Sequence, residues 1–76
     1  MNKQRRQEIN RANLLLDEAK EILENVRDEE QEYYDNMPES FQNGEKGEHA
    51  QSAISNLEES ISNIESAVDD MGAAAE

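Results

Sequence analysis

Acidic side chains are the residues of this sequence that come closest to forming a site for chemistry. Asp28-Glu29-Glu30-Gln31-Glu32 is the densest run, and Asp35 follows it. Carboxylates that act as acid and base need an enclosing pocket that moves their pKa values apart. An EF-hand calcium loop needs alternating oxygen ligands around a central glycine, and that spacing is absent. We therefore interpret the run as a solvated helix face or a partner-binding surface, and we expect no enzyme.

The composition also argues against metal and cofactor sites. The sequence has 76 residues, no cysteine and a single histidine, His49, so disulfides and thiolate or two-histidine zinc sites are excluded. Nineteen acidic residues against seven basic residues give a formal net charge of -12. Because phosphate groups would be repelled, we expect no direct binding to nucleic acid or to anionic membranes. This charge fits a basic partner or the imitation of a polyanion.

Apolar periodicity indicates the elements that must position these residues. Over the first half of the chain, apolar residues recur mostly in steps of three and four, at Ile9, Ala12, Leu16, Ala19, Leu23, Val26, Tyr33 and Met37. This heptad spacing predicts an amphipathic helix over residues 3–36, which contains neither glycine nor proline. Leu15 and Ile22 widen its apolar face on one side.

A connection over residues 37–46 and a second helix over residues 47–71 complete the pattern. Pro38 cannot continue a helix, and Asn43 is expected to cap the next one. Phe41 is expected to pack back under the two helices. The second heptad stripe consists of Ala50, Ile54, Leu57, Ile61, Ile64, Val68 and Met71. Gly72 is expected to end this helix, which leaves residues 72–76 as a frayed tail.

The two stripes predict an all-α protein, an antiparallel, coiled-coil-like hairpin of two helices. Side by side, the helices would place Val26 near Leu57 and Leu23 near Ile61. Two helices cannot surround a core, so we expect a homodimer that completes an antiparallel four-helix bundle. The residues expected in this oligomer core are Leu16, Leu23, Val26, Leu57, Ile61 and Ile64.

The aromatic residues lie near the connection. Tyr33 falls on the heptad stripe and is expected in the core, whereas Tyr34 lies off the stripe and is expected to be exposed. An exposed tyrosine within an acidic surface is a common interface anchor. Local packing that seals the loop is the alternative. The partner-binding residues under this hypothesis are Asp28, Glu29, Glu32, Tyr34 and Asp35.

The order of features over residues 27–66 carries a resemblance. An acidic run with a tyrosine is followed by Asn36-Met37-Pro38-Glu39-Ser40, a short glycine-containing stretch, and Ala/Ile/Leu heptads. This order, which covers about half of the chain, resembles a group of small acidic helical proteins encoded by bacteriophages and prophages. That group has no assigned activity. The resemblance therefore implies a viral origin and the host cytoplasm, but it identifies no functional residue.

Three classes of function are open at this point. The first is a phage-type accessory protein that binds a macromolecule through its acidic surface, as a DNA mimic or as an inhibitor of a host or defence protein. The second is a structural protein that assembles only with itself. The third is an oligomeric sponge for a small signalling ligand, which is disfavoured because anionic nucleotides need basic pockets. No apolar run exceeds three residues, so we expect no signal peptide, no membrane span and a cytoplasmic location.

Overall fold

The computed structural model covers residues 1–76, and every regular element in it is helical. Helix α1 spans Lys3–Asp35, α2 is a single turn at Glu39–Gln42, and α3 spans Glu45–Ala74. The molecule is elongated, with extents of 58 × 15 × 11 Å. The prediction of an all-α class is confirmed.

Local side-chain and backbone bonds set the limits of α1. The Oδ1 atom of Asn2 accepts a hydrogen bond of 2.8 Å from the backbone N–H of Arg5, which satisfies one of the free amides of the first turn. At the other end, the backbone N–H of Asn36 donates to the carbonyl of Glu32 at 3.0 Å. Pro38 follows two residues later and prevents α1 from continuing.

The connection is tightened by α2, whose single turn forms because the carbonyl of Pro38 accepts from the N–H groups of Phe41 and Gln42, at 2.8 and 3.0 Å. Phe41 does not pack under the helices as expected, since half of its surface is exposed. The inward position of this turn is occupied by Gln42 instead, whose Nε2 donates to the carbonyl of Tyr34 at 2.9 Å.

Helix α3 is longer than its sequence pattern indicates at both ends. It begins at Glu45, and its N-cap is Gly44 rather than Asn43, with no side-chain capping bond. Gly72 lies within the helix instead of ending it. No glycine has a positive φ, so the left-handed conformation that ends many helices at glycine is not adopted here. The alanines that follow favour helix and carry it to Ala74.

Helices α1 and α3 lie along one another. Residues near the start of α1 lie beside the end of the chain, and residues near the end of α1 lie beside the first turns of α3. Near the start of α1, the Nε of Arg6 donates to the carbonyl of Ala75 at 3.0 Å. In the middle, the Nζ of Lys20 lies 3.4 Å from Glu65 Oε1. At the end of α1, the hydroxyl of Tyr34 accepts a bond of 2.9 Å from Gln51 Nε2.

The buried residues are few, and all of them belong to α3. They are Gly47, Ala50, Ile54 and Ile61. On the α1 side of the contact, the side chains are only partly buried, including Leu16 and Leu23. A single chain therefore encloses a thin core.

The face that α1 turns towards α3 departs from the predicted stripe near the connection. Val26 and Tyr33 are 43% and 53% exposed, whereas Arg27 and Tyr34 are partly buried. A straight α-helix has 3.6 residues per turn, so a heptad stripe drifts by about 20° per repeat and the next residue takes its place. The expectation that Tyr33 is in the core and Tyr34 exposed is therefore reversed, and Val26 does not pack beside Leu57 as a core residue of the single chain.

Candidate functional site

The carboxylates near the end of α1 lie on its outer surface, away from α3. Asp28, Glu32 and Asp35 are exposed and follow one another in steps of four and three, which places them on one side of the helix. Glu29 is also exposed, at the edge of this side. The same spacing continues towards the N-terminus, and reasoning from the dense run alone missed it. We call the full set the acidic line: Asp17, Glu21, Glu24, Asp28, Glu32 and Asp35.

The charge density of the acidic line limits what it can imitate. Its carboxylates span eighteen residue steps, which is about 27 Å of helix at ~1.5 Å per residue, or about 5 Å per charge. Duplex DNA carries one charge per ~1.7 Å of its axis. The acidic line alone is therefore sparser than the phosphates of a duplex counted over both strands.

Neighbouring side chains engage two members of the acidic line only weakly. Arg27 lies 3.1 Å from Asp28 Oδ1, and the Nε2 of Gln31 donates to Asp35 Oδ1 at 3.0 Å. Both contacts are formed within α1 and at its surface, where such pairs contribute little to stability. They therefore leave the carboxylates accessible to an external partner.

Tyr34 does not belong to the exposed surface on which the other four predicted partner-binding residues lie. It is partly buried between α1 and α3. Its hydroxyl accepts a hydrogen bond from Gln51, and its carbonyl accepts one from Gln42, each at 2.9 Å. Polar side chains of α2 and α3 thus bind Tyr34 where α1 meets the connection. Tyr34 therefore packs against these elements and does not project into solvent.

A row of large apolar side chains lies exposed along α1, beside the line of contact with α3. The exposed fractions are 59% for Leu15, 55% for Ile22, 43% for Val26 and 53% for Tyr33. At about 100° per residue, these four positions fall within about 40° of one another around the helix. We call them the apolar strip. On a chain with so few buried residues, this strip is the largest part of the apolar surface of α1 that α3 leaves uncovered.

The apolar strip continues into a depression at the connection. The depression is lined by Tyr33, Asn36, Met37, Pro38, Phe41 and Lys46. The Nζ of Lys46 lies 5.2 Å from the centroid of the Phe41 ring, within the range of a cation–π contact. Phe41 is thereby held at the surface, and it extends the apolar face beyond the end of α1.

The structure contains no group of three or more histidine, aspartate or glutamate side chains positioned to hold a metal ion. None of the three helices combines the length and apolar content needed to cross a bilayer. Comparison of the chain with protein-family models, with curated proteins and with solved structures finds no match.

Proposed function

We propose that this chain is a self-associating binding protein. Each copy is an antiparallel two-helix hairpin, a second copy covers the apolar strip in a dimeric four-helix bundle, and the acidic line stays accessible to a basic protein partner. The exposure of Leu15, Ile22, Val26 and Tyr33 carries the proposal. The resemblance to small phage-encoded proteins adds a phage-type accessory role to it, with a host or defence protein as the partner.

The thin core supports the self-association. Only Gly47, Ala50, Ile54 and Ile61 are buried in a chain of 76 residues, and domains of this size seldom gain more than ~3–5 kcal/mol from one core. Full burial of a leucine- or isoleucine-sized side chain contributes ~1.5–3 kcal/mol. Covering the apolar strip in two copies would therefore yield a stabilisation comparable to that of the core of a single chain.

Replacing Ile22 by glutamine tests the association directly. The change removes one apolar side chain from each side of the dimer interface, so we expect the dissociation constant to rise on the order of 100-fold or more. Sedimentation equilibrium of the variant and the wild type measures this constant. Thermal melts of the wild type should also shift upward with protein concentration, because a dimer is stabilised by mass action.

Leu14→Gln is the matched control for this experiment. Leu14 is 70% exposed but lies outside the apolar strip, so its replacement should leave the dissociation constant unchanged. A wild-type chain that sediments as a monomer at all concentrations, with a melt independent of concentration, would contradict the self-association.

The acidic line is the proposed contact for the external partner. Changing Asp28, Glu29, Glu32 and Asp35 to Asn and Gln should weaken capture of basic proteins from a bacterial lysate at low salt. Wild-type capture should itself decline as salt rises, because exposed charges are screened over ~8 Å at physiological ionic strength. The variant should be more stable by a few tenths of a kcal/mol, since like charges one turn apart repel. Bound proteins are identified by mass spectrometry.

A control variant of equal net charge separates the acidic line from charge in general. It neutralises Glu58, Glu59, Asp69 and Asp70, all exposed on α3. Some proteins should be captured by the wild type and by the control but not by the variant changed at residues 28, 29, 32 and 35. Such proteins would be partners of the acidic line. If both variants capture the same proteins as the wild type, the acidic line only solubilises the chain, and a purely structural, self-assembling role becomes the better account.

A further inference from the structure

We propose that the two copies pack head to tail, about a two-fold axis that passes midway between Ile22 and Val26. The loop end of each copy, which carries residues 36–44, would then lie beside the chain termini of the other. This inference rests on the self-association proposed above, and it adds the orientation of the copies and the residue pairs that meet.

The apolar strip has the symmetry that such an axis requires. Its spacing is seven residues from Leu15 to Ile22, four from Ile22 to Val26, and seven from Val26 to Tyr33. The sequence of spacings is the same when it is counted from either end. A two-fold axis at the midpoint therefore pairs Ile22 with Val26 of the other copy and Leu15 with Tyr33, so every member of the strip meets an apolar side chain. Such self-complementary contacts are the rule for two-fold dimers.

The partly buried apolar residues Leu57 and Ile64 of α3 lie on the same face of the molecule as the apolar strip. Each residue of the apolar strip immediately precedes one that faces α3, as Leu15 precedes Leu16. Leu57 and Ile64 come three residues after the buried Ile54 and Ile61 and are themselves only partly buried. At about 100° per residue, one residue back on α1 and three residues forward on α3 are rotations of the same sense away from the contact between the helices. Because the two helices run in opposite directions, rotations of the same sense point to the same side of the molecule.

The register of the two helices places both sets of residues about one axis. Fourteen residues separate Lys20 from Tyr34, and fourteen separate their α3 partners Gln51 and Glu65. The midpoint between Ile22 and Val26 is four residues beyond Lys20. Because α3 runs in the opposite direction, this midpoint lies level with Ile61, four residues before Glu65. Leu57 and Ile64 flank that level almost evenly, four residues before it and three after it. An axis chosen from α1 alone thus pairs Leu57 of one copy with Ile64 of the other.

The distribution of charge along the molecule favours this orientation over its alternative. Residues 24–48, at and near the loop end, hold nine acidic and two basic side chains. At the termini, residues 1–12 and 69–76 hold four of each. A bundle with both loops at one end would bring the two acidic ends together. The head-to-tail bundle sets each acidic end beside the end that contains Lys3, Arg5, Arg6 and Arg11, and repulsion is thereby reduced.

Disulfide trapping tests the orientation, because the chain contains no cysteine of its own. Chains with Leu15→Cys are mixed with chains carrying Tyr33→Cys and oxidised. We expect a predominant mixed dimer that is cross-linked between positions 15 and 33, since these positions meet across the axis, whereas two copies of position 15 would lie about 27 Å apart along α1. A disulfide requires Cα atoms within about 7 Å. Leu14→Cys, on the outer surface of α1, is the control that should not form a bond with Tyr33→Cys.

A distance measurement that leaves the apolar strip unaltered provides the second readout. Spin labels on Ser40→Cys at the loop end should lie roughly 40–50 Å apart in the dimer, as the rise of α1 requires. Labels less than about 25 Å apart, or trapping of Leu15→Cys with Met71→Cys, would overturn the head-to-tail orientation while the proposed self-association stands. A chain that stays monomeric by sedimentation would overturn both.

Discussion

Replacing Gly47 by alanine is expected to destabilise the protein by about 2–3 kcal/mol, as overpacking does in closely packed sites. A Cβ atom at this position would overlap the carbonyl group of Gln42 and lie 2.7 Å from its Cα. All of these are backbone atoms, which cannot rotate away as a side chain would. In a domain of this size, such a loss lowers the melting temperature by roughly 10–20 °C. Thermal denaturation followed by circular dichroism measures the shift.

Gly72→Ala is the matched control because it makes the same chemical change in the same helix. Nothing lies within 4 Å of a Cβ built at Gly72. Alanine favours helix over glycine by up to ~1 kcal/mol, so this variant should be slightly more stable than the wild type. If the two variants shift the melting temperature in the same direction, the close contact between α3 and Gln42 does not limit stability.

Replacing Ile61 by alanine is expected to cost about 2–4 kcal/mol, the usual range for truncating a buried isoleucine. Ile61 is 6% exposed and lies near the middle of the contact between α1 and α3. Its removal would leave a cavity between α1 and α3. The two helices cannot close this cavity, because they would have to move closer along their whole length. Urea denaturation at a fixed protein concentration measures the free energy of unfolding.

Leu14→Ala serves as the control for this truncation, because it also removes an aliphatic side chain but from a site that is 70% exposed. Changes at such sites usually remain within ~0.5 kcal/mol. Leu23→Ala should lie between the two, since Leu23 is only partly buried. Equal losses for Leu14 and Ile61 would mean that the core does not lie between α1 and α3 at this level.

The helices were predictable from the sequence because their apolar spacing is regular over many turns. The heptads indicated α1 to within one residue of its end at Asp35. They did not indicate which of two adjacent residues faces α3 near the connection. That depends on whether the helices supercoil, and the drift of a straight helix turned Arg27 and Tyr34 inward and left Val26 and Tyr33 outside.

The details of the connection were beyond the sequence pattern, because they depend on contacts between elements. Gly47 looks like an ordinary helix-breaking residue in the sequence, and only the proximity of Gln42 explains its burial. The bonds from Gln42 and Gln51 to Tyr34 are likewise formed between different elements. By contrast, the extension of the acidic line to Asp17 could have been found from its three- and four-residue steps.

The position of the buried residues gives the molecule a gradient of local stability. Gly47, Ala50 and Ile54 lie in the half of α3 nearer to the connection, and Ile61 lies just past the middle of the helix. Beyond Ile61, no residue of α3 is buried, and the termini are joined through the bond between Arg6 and Ala75. We therefore expect the pairing of α1 and α3 to be most stable near the connection and weakest towards the termini. Amide hydrogen exchange should be slowest around Ile54 and fastest near the two ends of the chain.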